Sequence, residues 1–125
     1  MEMPMDLTEV KLRRKDVFEG KIMTVHVDDV RLPNGEEATR EVVDHVDGAA
    51  VLALDEANRV LVVRQYRYVF GKVLDELPAG KLDPDEFLNV ERVPFDEMVH
   101  RCVNGEIDDA KTVAAVLRAK VLLNL

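Results

Sequence analysis

Carboxylates crowd one stretch of this sequence. Asp75, Glu76, Asp83, Asp85 and Glu86 flank the turn residues Pro78-Ala79-Gly80. Oxygen donors set so close together suit a hard cation such as Mg2+, although an acidic turn can equally be just solvated. Just upstream, Arg64-Gln65-Tyr66-Arg67 ends an apolar run. Guanidinium forks match phosphate oxygens, so this cluster, joined by Arg40 from an earlier strand, is a candidate anion site. Simple pairing with some of the 25 acidic residues is the plainer alternative. His-Val-Asp occurs twice, at 26–28 and 45–47, and strand alternation puts each His on the face of its Asp. With a turn centred on Asn34-Gly35, His26 falls opposite about Val43 and His45 opposite about Thr24. The two imidazoles are then diagonal with no third strong ligand, which favours surface or half-buried histidines over a metal site. Gly-x-Ser-x-Gly, His-Glu-x-x-His, Gly-x-x-x-x-Gly-Lys and Cys-x-x-Cys are all missing from the sequence. Each absence removes a class of mechanism.

The elements that must carry these residues are legible in part. Met1 to Val10 is mixed and polar, a frayed start or a short edge element. Residues 22–31 alternate in the manner of a strand and run into Leu32-Pro33-Asn34-Gly35. Asn-Gly tolerates positive φ, so a tight turn and an antiparallel return over 39–46 are expected. Ala49 to Leu54 and the run from Val60 form a second expected hairpin across Asp55-Glu56-Ala57-Asn58. Val73 to Leu77 reads as a short strand. Phe95, Met98, Val99 and Cys102 recur at helical spacing, stopped by Asn104-Gly105. Asp108 or Asp109 can cap a last helix, with Ala110, Val113, Ala114, Leu117 and Val121 as its apolar stripe. Strands first and helices last give an α+β class.

Size and charge narrow the function. A chain of 125 residues suits a single domain with a real core. One cysteine, Cys102, excludes an internal disulfide framework. No apolar run reaches membrane-spanning length and no basic-then-apolar leader precedes Lys11, so a cytoplasmic protein without membrane contact is expected. With 17 basic against 25 acidic residues and a formal charge of -8, a nucleic-acid surface is disfavoured. A small anionic ligand is not, since a few placed arginines outweigh global charge at short range.

Several strings taken in order are recognisable. Val17-Phe18-Glu19-Gly20-Lys21, Leu32-Pro33-Asn34-Gly35, Arg40-Glu41-Val42-Val43, Val63-Arg64-Gln65-Tyr66-Arg67 and Glu76-Leu77-Pro78-Ala79-Gly80-Lys81-Leu82 resemble the Nudix ADP-ribose pyrophosphatases. So do Glu86-Phe87-Leu88, Gly105-Glu106-Ile107 and Asp109-Ala110-Lys111-Thr112. The resemblance implies an α/β/α fold, with residues 1–46 as a dimerising β element, 47–86 as a partial Nudix core and 87–125 as a C-terminal strand and helices. It implies homodimers that hydrolyse ADP-ribose to AMP and ribose 5-phosphate with Mg2+. Carried over by position, Arg40 and Arg67 are the substrate contacts. Ala79, through its carbonyl, and Glu76 and Glu86 are the metal-side residues. The Nudix box opens with a Gly and, after five residues, a Glu, which Gly80 and Glu86 satisfy. Seven residues further on, Pro94-Phe95 stands where Arg-Glu is required, and the Glu-Glu pair is also missing. The first half matches the family before the box helix and Phe87 onwards matches it well after, with a junction between Asp83 and Glu86. The expectation is a truncated Nudix-like chain without hydrolysis, or, as the alternative, a non-catalytic dimerising or nucleotide-binding remnant. Loss of central elements should also bare apolar sheet surface around Val51-Leu52 and Leu61-Val62.

Overall fold

The computed structural model describes residues 3–80, 82 and 84–125. The chain divides into two compact units, 1–47 and 48–125. In the first, β1 (Val10–Glu19), β2 (Met23–Arg31) and β3 (Glu37–His45) form an antiparallel sheet in that order. The expected hairpin is therefore present, but its register differs by one. His26 pairs with Val42 and His45 with Met23. The reason lies in the turn. Gly35 N–H donates to the Leu32 carbonyl at 2.9 Å and Leu32 N–H to the Glu36 carbonyl at 2.8 Å. Gly35 alone takes positive φ, at 89°. The loop is thus the three residues Pro33-Asn34-Gly35, a turn followed by a left-handed glycine, rather than a two-residue Asn-Gly turn.

β1 begins where the frayed start or edge element expected over Met1 to Val10 ends, in a stretch to which the sequence pattern assigns no element. Its register shifts between Lys11 and Arg13 and again between Asp16 and Phe18. Such bulges bend and twist a strand, which blunts an edge against unwanted pairing. His26 is also deeper than expected, at 4% exposure. Its Nδ1 lies 2.7 Å from Asp28 and its Nε2 2.8 Å from Asp44. Exposed His45 instead turns Nδ1 to the Val46 carbonyl at 2.6 Å, so the two histidines share no ligand.

In the second unit, β4 (Arg59–Arg67) lies between β5 (Lys72–Glu76) and β6 (Leu88–Pro94), all antiparallel. The segment 49–54 does not form the expected strand. It makes only isolated bridges, Leu54 to Val60 and Ala50 to Ala79. From Val63 onward β5 occupies that edge of β4, so the segment pairs briefly and then crosses to the loop after β5. Helix α1 (Phe95–Val103) buries Phe95, Met98 and Cys102, one stripe at helical spacing. Its first free N–H, on Phe95, donates to the carbonyl of Asn58 at 2.9 Å. Gly105, at φ 76°, ends the turn that follows.

Helix α2 (Ala110–Leu122) is capped by Asp109, as one of the two expected caps. Its inward face holds Val113 and Leu117 of the expected stripe, half-buried against the core, but not the whole stripe. Thr112 and Val116 are fully buried and Val121 is 79% exposed. A polar residue sits at the centre of the buried face because its hydroxyl is bonded there, which apolar spacing cannot reveal. The core joins Val60, Val62, Leu77, Val93 and Val116 to the α1 stripe. Val62 is thus fully buried, against the expectation of a bared surface, whereas Val51 is 61% exposed. The observed class is α+β, as expected.

Candidate functional site

Alternation along β4 sorts the Arg64-Gln65-Tyr66-Arg67 string onto two faces. Arg64 donates to Asp75 at 2.8 Å, and Arg101 of α1 reaches the same carboxylate at 3.5 Å. These groups form an ion-pair network beside α1. Gln65 and Arg67 turn to the other face and line a cleft of about 260 Å³. The anion cluster suggested by sequence is therefore split, and only its alternate members meet.

The cleft brings together four of the five residues singled out from sequence. Arg67, Glu76, Ala79 and Glu86 all line it, with Gln65, Val63 and Leu88 as its strand floor. Arg40 belongs to the first unit, where its Nε and Nη2 donate to the two Glu9 oxygens at 2.8 and 3.0 Å. That bond holds the Glu9 carboxyl below its ordinary value. Asp83 lies outside the described residues.

Within the cleft, Glu76 is 3% exposed and accepts from Arg67 twice, from Nε at 3.0 Å and from Nη2. A carboxylate this deep requires such a partner, since burying an unpaired charge is prohibitive. The Glu76 hydrogen bonds raise the guanidinium above its ordinary value, against the opposing effect of partial burial. Glu86 and Asp109 act on Arg67 in the same direction through space. The Arg67 side chain remains 36% exposed, so part of its donor edge faces outward. Gln65 Nε2 donates to Glu86 at 2.7 Å.

The wall formed by Pro78-Ala79-Gly80 is fixed from two sides. Val51 N–H donates to the Pro78 carbonyl at 3.0 Å. Leu77 N–H, past the end of β5, donates to Thr112 Oγ1 at 2.9 Å. That hydroxyl in turn donates to Asp109 Oδ2 at 2.6 Å. The α2 cap and the cleft wall are thus one hydrogen-bonded chain. Burial raises the Asp109 carboxyl, but the Lys111 and Thr112 hydrogen bonds outweigh it and leave the group below its ordinary value.

Mg2+, which the sequence resemblance calls for, is not well served by these residues. Both Glu76 oxygens face Arg67, and one Glu86 oxygen faces Gln65. Among the described residues no three His, Cys, Asp or Glu side chains converge in a way that could hold a metal ion. Sequence reasoning missed Gln65, Thr112 and Asp109 as parts of the site. Strand parity would have found Gln65, but no spacing signal links Leu77 to Thr112, 35 positions apart.

Comparison with known proteins bears on both units. Residues 9–43 match the nucleoside diphosphate sugar hydrolase N-terminal domain. The chain is 38% identical over 80 residues to the ADP-ribose pyrophosphatase of Bacillus subtilis, covering 64% of this chain and 43% of that protein. It is 45% identical over 64 residues to the ADP-ribose pyrophosphatase of Mycobacterium tuberculosis, covering 51% and 31%. It is also 40% identical over 78 residues to the methanol dehydrogenase activator of Bacillus methanolicus, covering 62% and 42%. The chain therefore spans less than half the length of these curated relatives. A crystal structure of an ADP compounds hydrolase superposes with a TM-score of 0.77 at 13% identity, covering 98% of this chain and 97% of that one. At that identity the likeness speaks for the fold. The resemblance to ADP-ribose pyrophosphatases read from the motifs is thus supported by sequence, over part of the chain, and by fold. No helix among the described residues is long and apolar enough to cross a membrane.

Proposed function

We propose that the 125-residue chain is a cytoplasmic, dimeric relative of the ADP-ribose pyrophosphatases that binds ADP-ribose or a related nucleoside diphosphate sugar and does not hydrolyse it. The observation that carries this reading is the cleft itself. It keeps a half-exposed arginine on a strand end, beside the Pro78-Ala79-Gly80 wall, while its carboxylates are engaged with Arg67 and Gln65. Arginine is suited to diphosphate oxygens because its fork donates two parallel, charge-assisted hydrogen bonds. In this reading Ala79, Glu76 and Glu86 are the residues left on the metal side.

Hydrolysis of a diphosphate asks for more than binding. A metal in such a site neutralises charge and generates the attacking hydroxide. The Arg-Glu and Glu-Glu pairs of the Nudix box do not occur after Glu86 in this sequence. With these donors turned to protein partners, no residue among the described ones is placed to activate a water. The described residues can orient a diphosphate and exclude part of its solvent.

The test is AMP release. Purified 125-residue protein is incubated with ADP-ribose and Mg2+, and product is followed by chromatography. No release above background is expected, alongside calorimetric binding that weakens in Arg67→Ala. Release that EDTA abolishes and that Glu86→Gln removes overturns the reading.

A further inference from the structure

Strand β4 ends at Arg67 and begins at Arg59, about 26 Å away along its nine residues. At the Arg59 end a pocket of about 200 Å³ is lined by Ala53, Leu54, Asp55, Arg59, Leu61 and Arg92. Its rim is built on the turn between Asp55 and Arg59. Asp55 Oδ1 accepts from the backbone N–H groups of Ala57 and Arg59, both at 2.9 Å. Asn58 completes the turn at a φ of 56°. Asp55 Oδ2 accepts from Arg59 Nε at 2.8 Å and from Arg92 Nη1 at 3.3 Å. A carboxylate has roughly four acceptor sites, so Asp55 is spent on holding the turn and the two guanidiniums. Those guanidiniums are not spent. Arg59 keeps both Nη groups, and Arg92 its Nε and Nη2, without an acceptor among the described residues. Two cations against one anion leave the rim locally positive in a chain whose formal charge is -8.

The floor decides which anion fits. Leu54 and Leu61 are half-buried and apolar. The nearby backbone donors are taken, Asp55 N–H by the Arg59 carbonyl at 3.0 Å and Leu61 N–H by the Ala53 carbonyl at 3.1 Å. Only guanidinium edges remain to meet an anion, and they present parallel N–H pairs that match a planar two-oxygen group. A phosphate brings more oxygens and more charge than such a rim can satisfy. The pocket is also smaller than the about 300–1,000 Å³ that drug-sized ligands occupy. We infer that this pocket binds a short-chain aliphatic carboxylate. Its oxygens accept from Arg59 and Arg92, and its tail lies over Leu54 and Leu61. The site stands apart from the Arg67 cleft and does not depend on what that cleft binds.

Butyrate is the probe, titrated into the full chain at fixed ionic strength while the methyl resonances of Leu54 and Leu61 are followed. Saturable shifts are expected, at about millimolar affinity for so small a ligand. Arg92→Gln should weaken binding about fivefold, the loss of one charge-assisted hydrogen bond at a half-exposed site. Arg92 is 56% exposed and makes one long contact to Asp55, so the substitution leaves the turn in place. Arg118→Gln removes the same charge from the exposed side of α2 and should leave the affinity unchanged. Butyramide, which keeps the shape without the charge, should bind at least about fivefold more weakly. Methyl resonances that do not move with butyrate overturn the site. So does an affinity that Arg92→Gln leaves intact, or one that Arg118→Gln lowers equally. Butyramide binding as tightly as butyrate, or inorganic phosphate binding more tightly, overturns the carboxylate assignment.

Discussion

Replacing Thr112 by Val isolates the hydrogen bonds that tie helix α2 to the cleft wall. The side chain keeps its branched shape, and Thr112 is fully buried, so little else changes. Two interactions go: the hydroxyl's bond to Asp109, at 2.6 Å, and its acceptance from Leu77 N–H, at 2.9 Å. Leu77 is 1% exposed, which leaves water little access to the orphaned amide. An unsatisfied buried donor costs about 1–3 kcal/mol, and the added apolar methyl returns a fraction of that, for a net loss of about 2 kcal/mol. Thr112→Ser retains the hydroxyl and loses one buried methyl, about 1 kcal/mol. The chain has no Trp, so urea unfolding is followed by far-UV circular dichroism. At a slope near 2 kcal/mol per molar, Thr112→Val should lower the midpoint by about 1 M and Thr112→Ser by about half that. Exchange of the Leu77 amide should accelerate in the Val variant and not in the Ser variant. A Val midpoint within about 0.2 M of the parent, or a Ser variant less stable than Val, refutes the role given to this hydroxyl.

Two further outcomes follow from the charge and the surface. The Asp109 carboxyl is held below its ordinary value, so its contribution is fully present above about pH 4 and is lost as pH falls through the depressed value. Asp109→Asn should flatten the acid limb of the stability profile, and an unchanged limb refutes the assignment. On the N-terminal sheet, Phe18 pairs with Val25 and Val25 with Val43, and the outer two are more than half exposed. This apolar row supports the proposed dimer, and sedimentation showing a compact monomer at tens of micromolar would remove that part of the proposal.

What could be read from sequence was whatever repeats with one period. The β2–β3 hairpin announced itself by alternation around Asn34-Gly35, and only its register was off, because Gly35 alone takes the left-handed conformation. α1 was legible from Phe95, Met98 and Cys102. β1 was not, since Val10–Glu19 is exposed at all but one position and so carries no buried face to alternate with. The α2 stripe was legible at Val113 and Leu117, which pack on the core, but its deepest position was missed because Thr112 is interior yet polar. At the site, Arg67, Glu76, Ala79 and Glu86 were picked out by resemblance and are gathered in one cleft. The partners that hold them in place come from long-range contacts, which leave no local pattern.

Those partners also set the terms on which the cleft can work. Glu76 is 3% exposed and sits on β5 against Arg67 of β4, so their pairing belongs to the folding of the β4–β5 edge as much as to any ligand. A diphosphate that took the whole guanidinium fork would strand that carboxylate in the interior. Binding energy at Arg67 is therefore offset by the cost of leaving Glu76 without its partner, unless the ligand accepts only from the outward part of the guanidinium. A scaffold carrying converging metal carboxylates would meet that cost with bound cations. Here the described carboxylates are turned to Arg67 and Gln65, so the same buried pair that stabilises the strand edge limits how tightly the cleft can hold an anion.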